Sequence, residues 1–152
     1  MTPGELPFEF ETGEVLAASP CFVVEDGAVF GPADPGRAEQ DYPPLLTVAW
    51  LDEPPSVTLE DVVEDLTRCL DDAESVLIDH QAVMVGGVEA VRTMVVHRGE
   101  HGRPTASEQW RLLTEGRRWT VSALTTLADQ PALGPPLARV AESLRVSPRP
   151  AR

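Results

Sequence analysis

One short motif in this chain matches a catalytic pattern, and it contains two histidines. Residues 97–101 spell HxxEH, the order found in a class of zinc peptidases, with His97, Glu100 and His101 as the potential functional groups. That class needs a helix to bring both imidazoles to one face, whereas this motif ends an apolar, β-branched run and enters a turn rich in Gly. We expect a polar hairpin tip here, with a metal-dependent hydrolase as a remote alternative, and predict no catalytic residue, metal or cofactor.

Other chemically versatile residues have simpler structural explanations. His80 has no nucleophile motif beside it, which favours a cross-strand histidine over a general base. Neither GxGxxG nor GxxxxGK[ST] follows Gly86, so the glycine pair there indicates a hairpin turn and not a nucleotide site. Cys21 and Cys69 lack CxxC spacing, which favours two reduced thiols, although the spacing leaves their pairing open.

Three Arg residues and one Trp are the candidate binding residues. Arg111 and Arg118 fall on the polar face of a predicted hairpin, and Arg92 from the neighbouring hairpin could join them. Guanidinium groups on a rigid sheet suit bidentate recognition of carboxylates. A solvated face, or internal pairing with the acidic first half of the chain, is the alternative. Trp50 precedes an acidic, Pro-rich break, which predicts a position at a surface edge.

The charge is unevenly distributed along the chain. Residues 1–79 carry 19 acidic residues against Arg37 and Arg68, whereas residues 80–152 carry 6 acidic residues against 10 Arg. The formal net charge of −13 disfavours nucleic acid and anionic membranes as partners, because both are negatively charged. No apolar run approaches the ~20 residues needed to span a bilayer. A protein partner is therefore expected, docking on the Arg-bearing face, on an acidic helix or on a loop.

The length of 152 residues fits one domain, which we expect over residues 1–146, with a flexible tail over 147–152. Alternating or β-prone residues predict strands within 6–11, 15–24 and 45–51. Gly, Pro and acidic residues over 31–44 predict a long surface loop between the second and third of these strands.

A helix is predicted to follow, because Thr58 and Asp61 resemble a capping box. Its apolar stripe comprises Leu59, Val62, Val63, Leu66 and Leu70, and its other face is acidic. Two hairpins come next, one turning at Gly86-Gly87 and one at Glu115-Gly116. The second turn places Trp110 opposite Val121 and Leu112 opposite Trp119. A last helix begins near Asp129, with residues 134–136 weakening its first turn.

This order of elements resembles the PsbP/Mog-like fold, in particular its bacterial DcrB and LpqN type domains. The resemblance rests on residues 6–10 (LPFEF), the helix over 58–70, residues 85–90 (VGGVEA), the two Trp-bearing strands and residues 142–146 (ESLRV). It implies an α+β fold, with an antiparallel sheet of about six or seven strands flanked by two or three helices.

The resemblance further implies a non-enzymatic scaffold, since such domains serve as photosystem accessory subunits, a Ran-binding factor, lipoproteins and chaperones for secreted effectors. The first 14 residues lack a basic start and an apolar stretch, so no signal peptide or lipobox is expected and the cytoplasm is the predicted location. We therefore expect a protein-binding adaptor or chaperone-like domain, as a monomer or homodimer, with a small-molecule or lipid carrier as the alternative.

Overall fold

The computed structural model describes residues 6–34, 36, 42–69, 75–98 and 103–149. The elements in these ranges are β1 (Phe8–Glu9), β2 (Phe22–Val24), β3 (Gly27–Phe30), β4 (Leu45–Asp52), α1 (Leu59–Cys69), β5 (Ser75–Val85), β6 (Val88–Arg98), β7 (Pro104–Thr114), β8 (Arg117–Thr126), α2 (Gln130–Glu142) and β9 (Arg145–Val146).

The main sheet has seven antiparallel strands in the order β2-β3-β4-β8-β7-β6-β5, and β1 pairs with β9 in a separate two-stranded sheet. This architecture confirms the predicted α+β class with an antiparallel sheet. Because side chains alternate across a strand, the sheet has two distinct faces. We call the face bearing Trp110 and Trp119 the core face, and the opposite face, bearing Arg111 and Arg118, the α1 face.

Both predicted hairpins are present, and the backbone angles of their turn residues allow each chain reversal within two residues. Gly86 and Gly87 have φ angles of 54° and 83°, and Glu115 and Gly116 have 56° and 69°, the positive values that two-residue hairpin turns require. The register of the second hairpin pairs β7 with β8 as the sequence predicts, with Trp110 opposite Val121 and Leu112 opposite Trp119.

The core face is covered by α2 and by the N-terminal segment. Helix α2 buries Leu133, Leu137, Val140 and Ala141, and it continues through the region of 134–136 where the sequence predicts a weak first turn. Phe8 packs edge-on against the rings of Trp50 and Trp119, at centroid distances of 5.8 and 6.1 Å. Residues from both ends of the chain therefore close one hydrophobic core.

Helix α1 begins with the predicted capping box. The Thr58 amide donates to Oδ2 of Asp61 at 2.9 Å, and the Asp61 amide donates to Oγ1 of Thr58 at 3.2 Å. Val62 and Leu66 are buried, and α1 contacts β6 and β7. The helix therefore covers part of the α1 face, and its acidic residues Glu60, Asp61 and Glu64 are exposed.

Two strands, β3 and β9, were not expected from the sequence. Strand β3 pairs with β4 and buries Ala28 and Phe30. Strand β9 pairs with β1, and just beyond it the Ser147 amide donates to the Pro7 carbonyl at 2.8 Å. Residues 147–149, in the predicted tail, are described and contact the body of the domain. The predicted loop over 31–44 lies partly outside the described residues.

Candidate functional site

The three candidate Arg residues do not share a surface. Arg111 and Arg118 lie on the α1 face, as predicted, but Arg92 lies on the core face because β6 pairs it directly with Trp110. The expectation that Arg92 joins the other two is therefore wrong about its placement. A shift of one residue in the register of a strand moves every side chain of that strand to the opposite face of the sheet.

Arg118 is engaged within the domain. Its guanidinium lies 2.8 Å from Oε1 of Glu53 and 3.4 Å from Oδ2 of Asp65, so it joins β8 to the residue that follows β4 and to the middle of α1. Arg111 donates to Oγ1 of Thr93 at 3.3 Å and is half-buried. The geometry of Arg118 matches the alternative of internal pairing with the acidic first half of the chain, whereas Arg111 bonds to a hydroxyl of the neighbouring strand β6.

Arg92 belongs to a buried polar network on the core face. Its Nε donates to Oε2 of Glu108 at 2.8 Å, and Nε2 of Gln130 donates to Oε1 of the same carboxylate at 2.7 Å. Asp79 lies 3.7 Å from the other side of the Arg92 guanidinium. This network links β5, β6, β7 and α2, so Arg92 has a structural role.

Trp50 is buried, so the prediction that it lies at a surface edge is wrong. It is 6% exposed, and its ring centroid lies 5.3 Å from that of Trp119. The ring is shielded because the N-terminal strand returns to cover it with Phe8.

The HxxEH motif can be followed only in part. His97 Nδ1 and the Ser75 hydroxyl share a hydrogen bond of 2.6 Å across β5 and β6, while Glu100 and His101 lie outside the described residues. Within the described ranges, no group of three His, Cys, Asp or Glu side chains is arranged to hold a metal ion. Cys21 is exposed and its thiol donates to the Val29 carbonyl at 3.3 Å; the side chain of Cys69 lies outside the described residues.

A groove of about 910 Å³ runs between α1 and the hairpin formed by β5 and β6. Its lining residues are Leu59, Glu60, Val63 and Glu64 from α1, His80, Gln81, Ala82, Val83 and Met84 from β5, and Glu89, Ala90 and Val91 from β6. The groove lies on the α1 face, beyond the part of that face which α1 itself covers.

The groove combines an apolar floor with an acidic rim. Glu60, Glu64 and Glu89 are exposed and form no ion pair with any described residue. No Arg is among the described residues that line the groove. Unpaired carboxylates around a low-dielectric surface produce a negative potential that attracts cationic groups.

The outer strand of the hairpin, β5, exposes large apolar side chains. Val76, Ile78 and Met84 are 54%, 59% and 55% exposed. Of these, Met84 lines the groove, whereas the register places Val76 on the core face. Exposed apolar surface with a polar rim, as at Met84, is typical of an interaction site. The sequence predicts this strand, but its place at the edge of the sheet depends on the strand order, which no local pattern encodes.

No described helix is both long enough and apolar enough to cross a membrane. No protein-family model matches the sequence, and a comparison with curated proteins found no match.

Solved structures similar to this one share the fold at low sequence identity. A Pseudomonas aeruginosa protein of unknown function, described as a candidate regulator, has a TM-score of 0.65 and 15% identity, over 86% of this chain and 88% of that one. LpqN, which is involved in cell envelope biogenesis of Mycobacterium tuberculosis, has a TM-score of 0.60 and 14% identity, over 97% and 87% of the two chains.

The Saccharomyces cerevisiae Ran-binding protein Mog1p has a TM-score of 0.56 and 14% identity, over 84% of this chain and 82% of that one. These similarities show that the domain has the PsbP/Mog-like fold predicted from the order of its elements. Since one fold carries many unrelated functions, they establish the fold alone.

Proposed function

We propose that this chain is a non-enzymatic, protein-binding adaptor or chaperone-like domain that holds a basic, apolar segment of a partner protein in the groove between α1 and the β5–β6 hairpin. The observation that carries the proposal is the combination of an apolar floor with three unpaired carboxylates, Glu60, Glu64 and Glu89. A segment in which Arg or Lys alternates with apolar residues satisfies both features.

The shape of the groove favours a polypeptide over a small ligand. Its floor follows β5 from His80 to Met84 along the edge of the sheet, which gives an elongated surface. Hydrophobic anchors supply most of the free energy in such interfaces, and complementary charges at the rim raise the association rate and select the partner.

The volume of about 910 Å³ also suits the alternative of a small-molecule or lipid carrier. An anionic lipid headgroup is disfavoured because Glu60, Glu64 and Glu89 surround the opening. A cationic or neutral amphiphile is the ligand class that this alternative would take.

Protein binding is also described for one solved structure with this fold, Mog1p, which is a Ran-binding protein. We extend only the general property of binding a protein to this chain.

The cytoplasmic location and the monomeric or homodimeric state expected from the sequence form part of the proposal. Cell fractionation measures the location, and analytical sedimentation measures the oligomeric state.

The groove is tested with a short fluorescent peptide in which Arg alternates with Val, and with a second peptide in which Glu replaces each Arg. Wild-type protein should bind the Arg peptide with an affinity that falls as salt rises, and should not bind the Glu peptide. Glu60→Gln/Glu64→Gln should weaken binding about fivefold or more, because two rim charges are lost.

The matched control is Glu25→Gln/Asp26→Asn, which removes the same charge from the exposed turn between β2 and β3. This variant should retain nearly the wild-type affinity. Equal weakening by both double variants would mean that binding follows net charge and not the groove, and the proposal would then be wrong.

A further inference from the structure

Strand β5 forms one edge of the main sheet and has no described strand on its outer side. Natural edge strands are usually blunted by Lys, Pro, inward charges, bulges or short length. Strand β5 is eleven residues long and contains neither Lys nor Pro. Its one acidic residue, Asp79, faces Arg92, and its register shift lies between Leu77 and Asp79. The stretch from Asp79 to Val85 is therefore a regular, unblunted edge.

The opposite edge of the sheet differs. Strand β2 has only three residues, Phe22–Val24, which limits the number of backbone hydrogen bonds that another strand could form with it. An added strand would therefore find more backbone partners along β5.

The hairpin register identifies the backbone groups of β5 that point outward. In a two-residue hairpin the pair flanking the turn exchanges both backbone hydrogen bonds, and here that pair is Val85 and Val88. Hydrogen-bonded and non-hydrogen-bonded pairs alternate along an antiparallel ladder. The N–H and C=O groups of His80, Ala82 and Met84 therefore point away from β6.

The same three residues direct their side chains into the groove. His80, Ala82 and Met84 line it, and they occupy the α1 face of the strand together with Glu89, the neighbour of Met84. A chain paired with this edge would place every second side chain over the groove. The outward backbone groups and the groove thus form one continuous binding surface.

From this geometry we infer that the partner segment binds in an extended conformation, as an eighth strand added to the outer edge of β5. The inference rests on the proposed function. Backbone hydrogen bonds to His80, Ala82 and Met84 hold the segment, and alternate side chains enter the groove, where basic groups meet Glu60, Glu64 and Glu89.

A second copy of this chain is a weaker match to the same edge. Each copy carries a formal charge of −13, and edge-to-edge pairing would bring two sets of rim carboxylates together. Like charges brought together in this way cost binding free energy, whereas a basic segment neutralises them.

The test removes a single outward donor. Ala82→Pro deletes the amide hydrogen at an edge position where proline is compatible with the β5–β6 ladder, and Ala82→Ser is the matched control. With the fluorescent Arg/Val peptide, Ala82→Pro should bind about tenfold more weakly than Ala82→Ser. In the wild type, the peptide should slow amide hydrogen exchange at His80, Ala82 and Met84.

A second measurement uses the wild-type protein and changes only the peptide, so it tests strand addition even if the proline variant unfolds. Two peptides are N-methylated at alternate residues, one set on each edge of the extended peptide. Strand addition predicts that one peptide loses binding and the other keeps it, since only one edge pairs with β5.

The outcomes separate this inference from the proposed function. If the peptide binds but neither methylated peptide is weakened and the three amides remain unprotected, strand addition is overturned while the groove is retained. If the wild type binds no Arg/Val peptide, the proposed function fails as well. If the edge amides are protected without peptide, in proportion to protein concentration, a second copy occupies the edge and the inference is overturned.

Discussion

Arg118 on β8 lies 2.8 Å from Glu53, the residue that follows β4, and the two side chains are only 19% and 13% exposed. The pair fixes the segment that leads from the sheet into α1. Because α1 forms one wall of the groove, this ion pair helps to set the position of that wall without lining the groove itself.

Arg118→Met should lower the free energy of unfolding by about 1–3 kcal/mol, because the shielded Glu53 carboxylate loses its charged partner. Urea denaturation measures the change. Arg68→Met is the control, since Arg68 also pairs with Asp65 but its side chain is 74% exposed, and its loss should cost no more than about 0.5 kcal/mol. Equal costs for the two variants would contradict the structural role of Arg118.

The Arg92–Glu108 pair offers a second stability prediction. Glu108→Leu should cost about 3 kcal/mol or more, because it leaves the largely buried Arg92 guanidinium without its main partner. Arg92→Met/Glu108→Leu should regain much of that loss, since apolar side chains can replace a buried ion pair at little cost. Thermal unfolding of both single variants and the double variant gives the coupling free energy. A double variant less stable than Glu108→Leu would show that the network is not a pairwise charge interaction.

Alanine substitutions at Gly86 and Gly87 allow the cost of backbone strain to be distinguished from the cost of a steric clash. Both residues have positive φ, so Ala at either position should cost about 1 kcal/mol through the backbone alone. A Cβ at Gly86 would collide with the Leu144 carbonyl oxygen, whereas a Cβ at Gly87 has no neighbour within 4 Å. Gly86→Ala should therefore cost about 1–3 kcal/mol more than Gly87→Ala in urea denaturation. Similar values would mean that the hairpin tip does not pack against the end of α2.

The features that the sequence predicts well are local ones. The capping box of Thr58 and Asp61 depends on residues three positions apart, and the register at Trp110 follows from a two-residue turn a few positions away. Turn and cap chemistry act over this range, so their signals are contained within short windows.

The features that the sequence misses depend on distant contacts. The face of Arg92 is set by the pairing of β6 with β7, and Trp50 is buried by Phe8 from the far end of the chain. Strand β9 has only two residues, too few for a periodic pattern to be recognised. The position of β5 at the edge of the sheet likewise emerges only when the strand order is known.

The pairing of β1 with β9 has a kinetic consequence. The Glu11 amide donates to the Ser143 hydroxyl, a contact between residues 132 positions apart, whereas the β5–β6 and β7–β8 hairpins close over two-residue turns. Such a long loop closes at a high entropic cost, so the hairpins should form first and the N-terminal strand should dock last. Phe8 then covers Trp50 and Trp119, so indole fluorescence should report the docking of the N-terminal strand, and before that docking these two rings lack one of their aromatic neighbours.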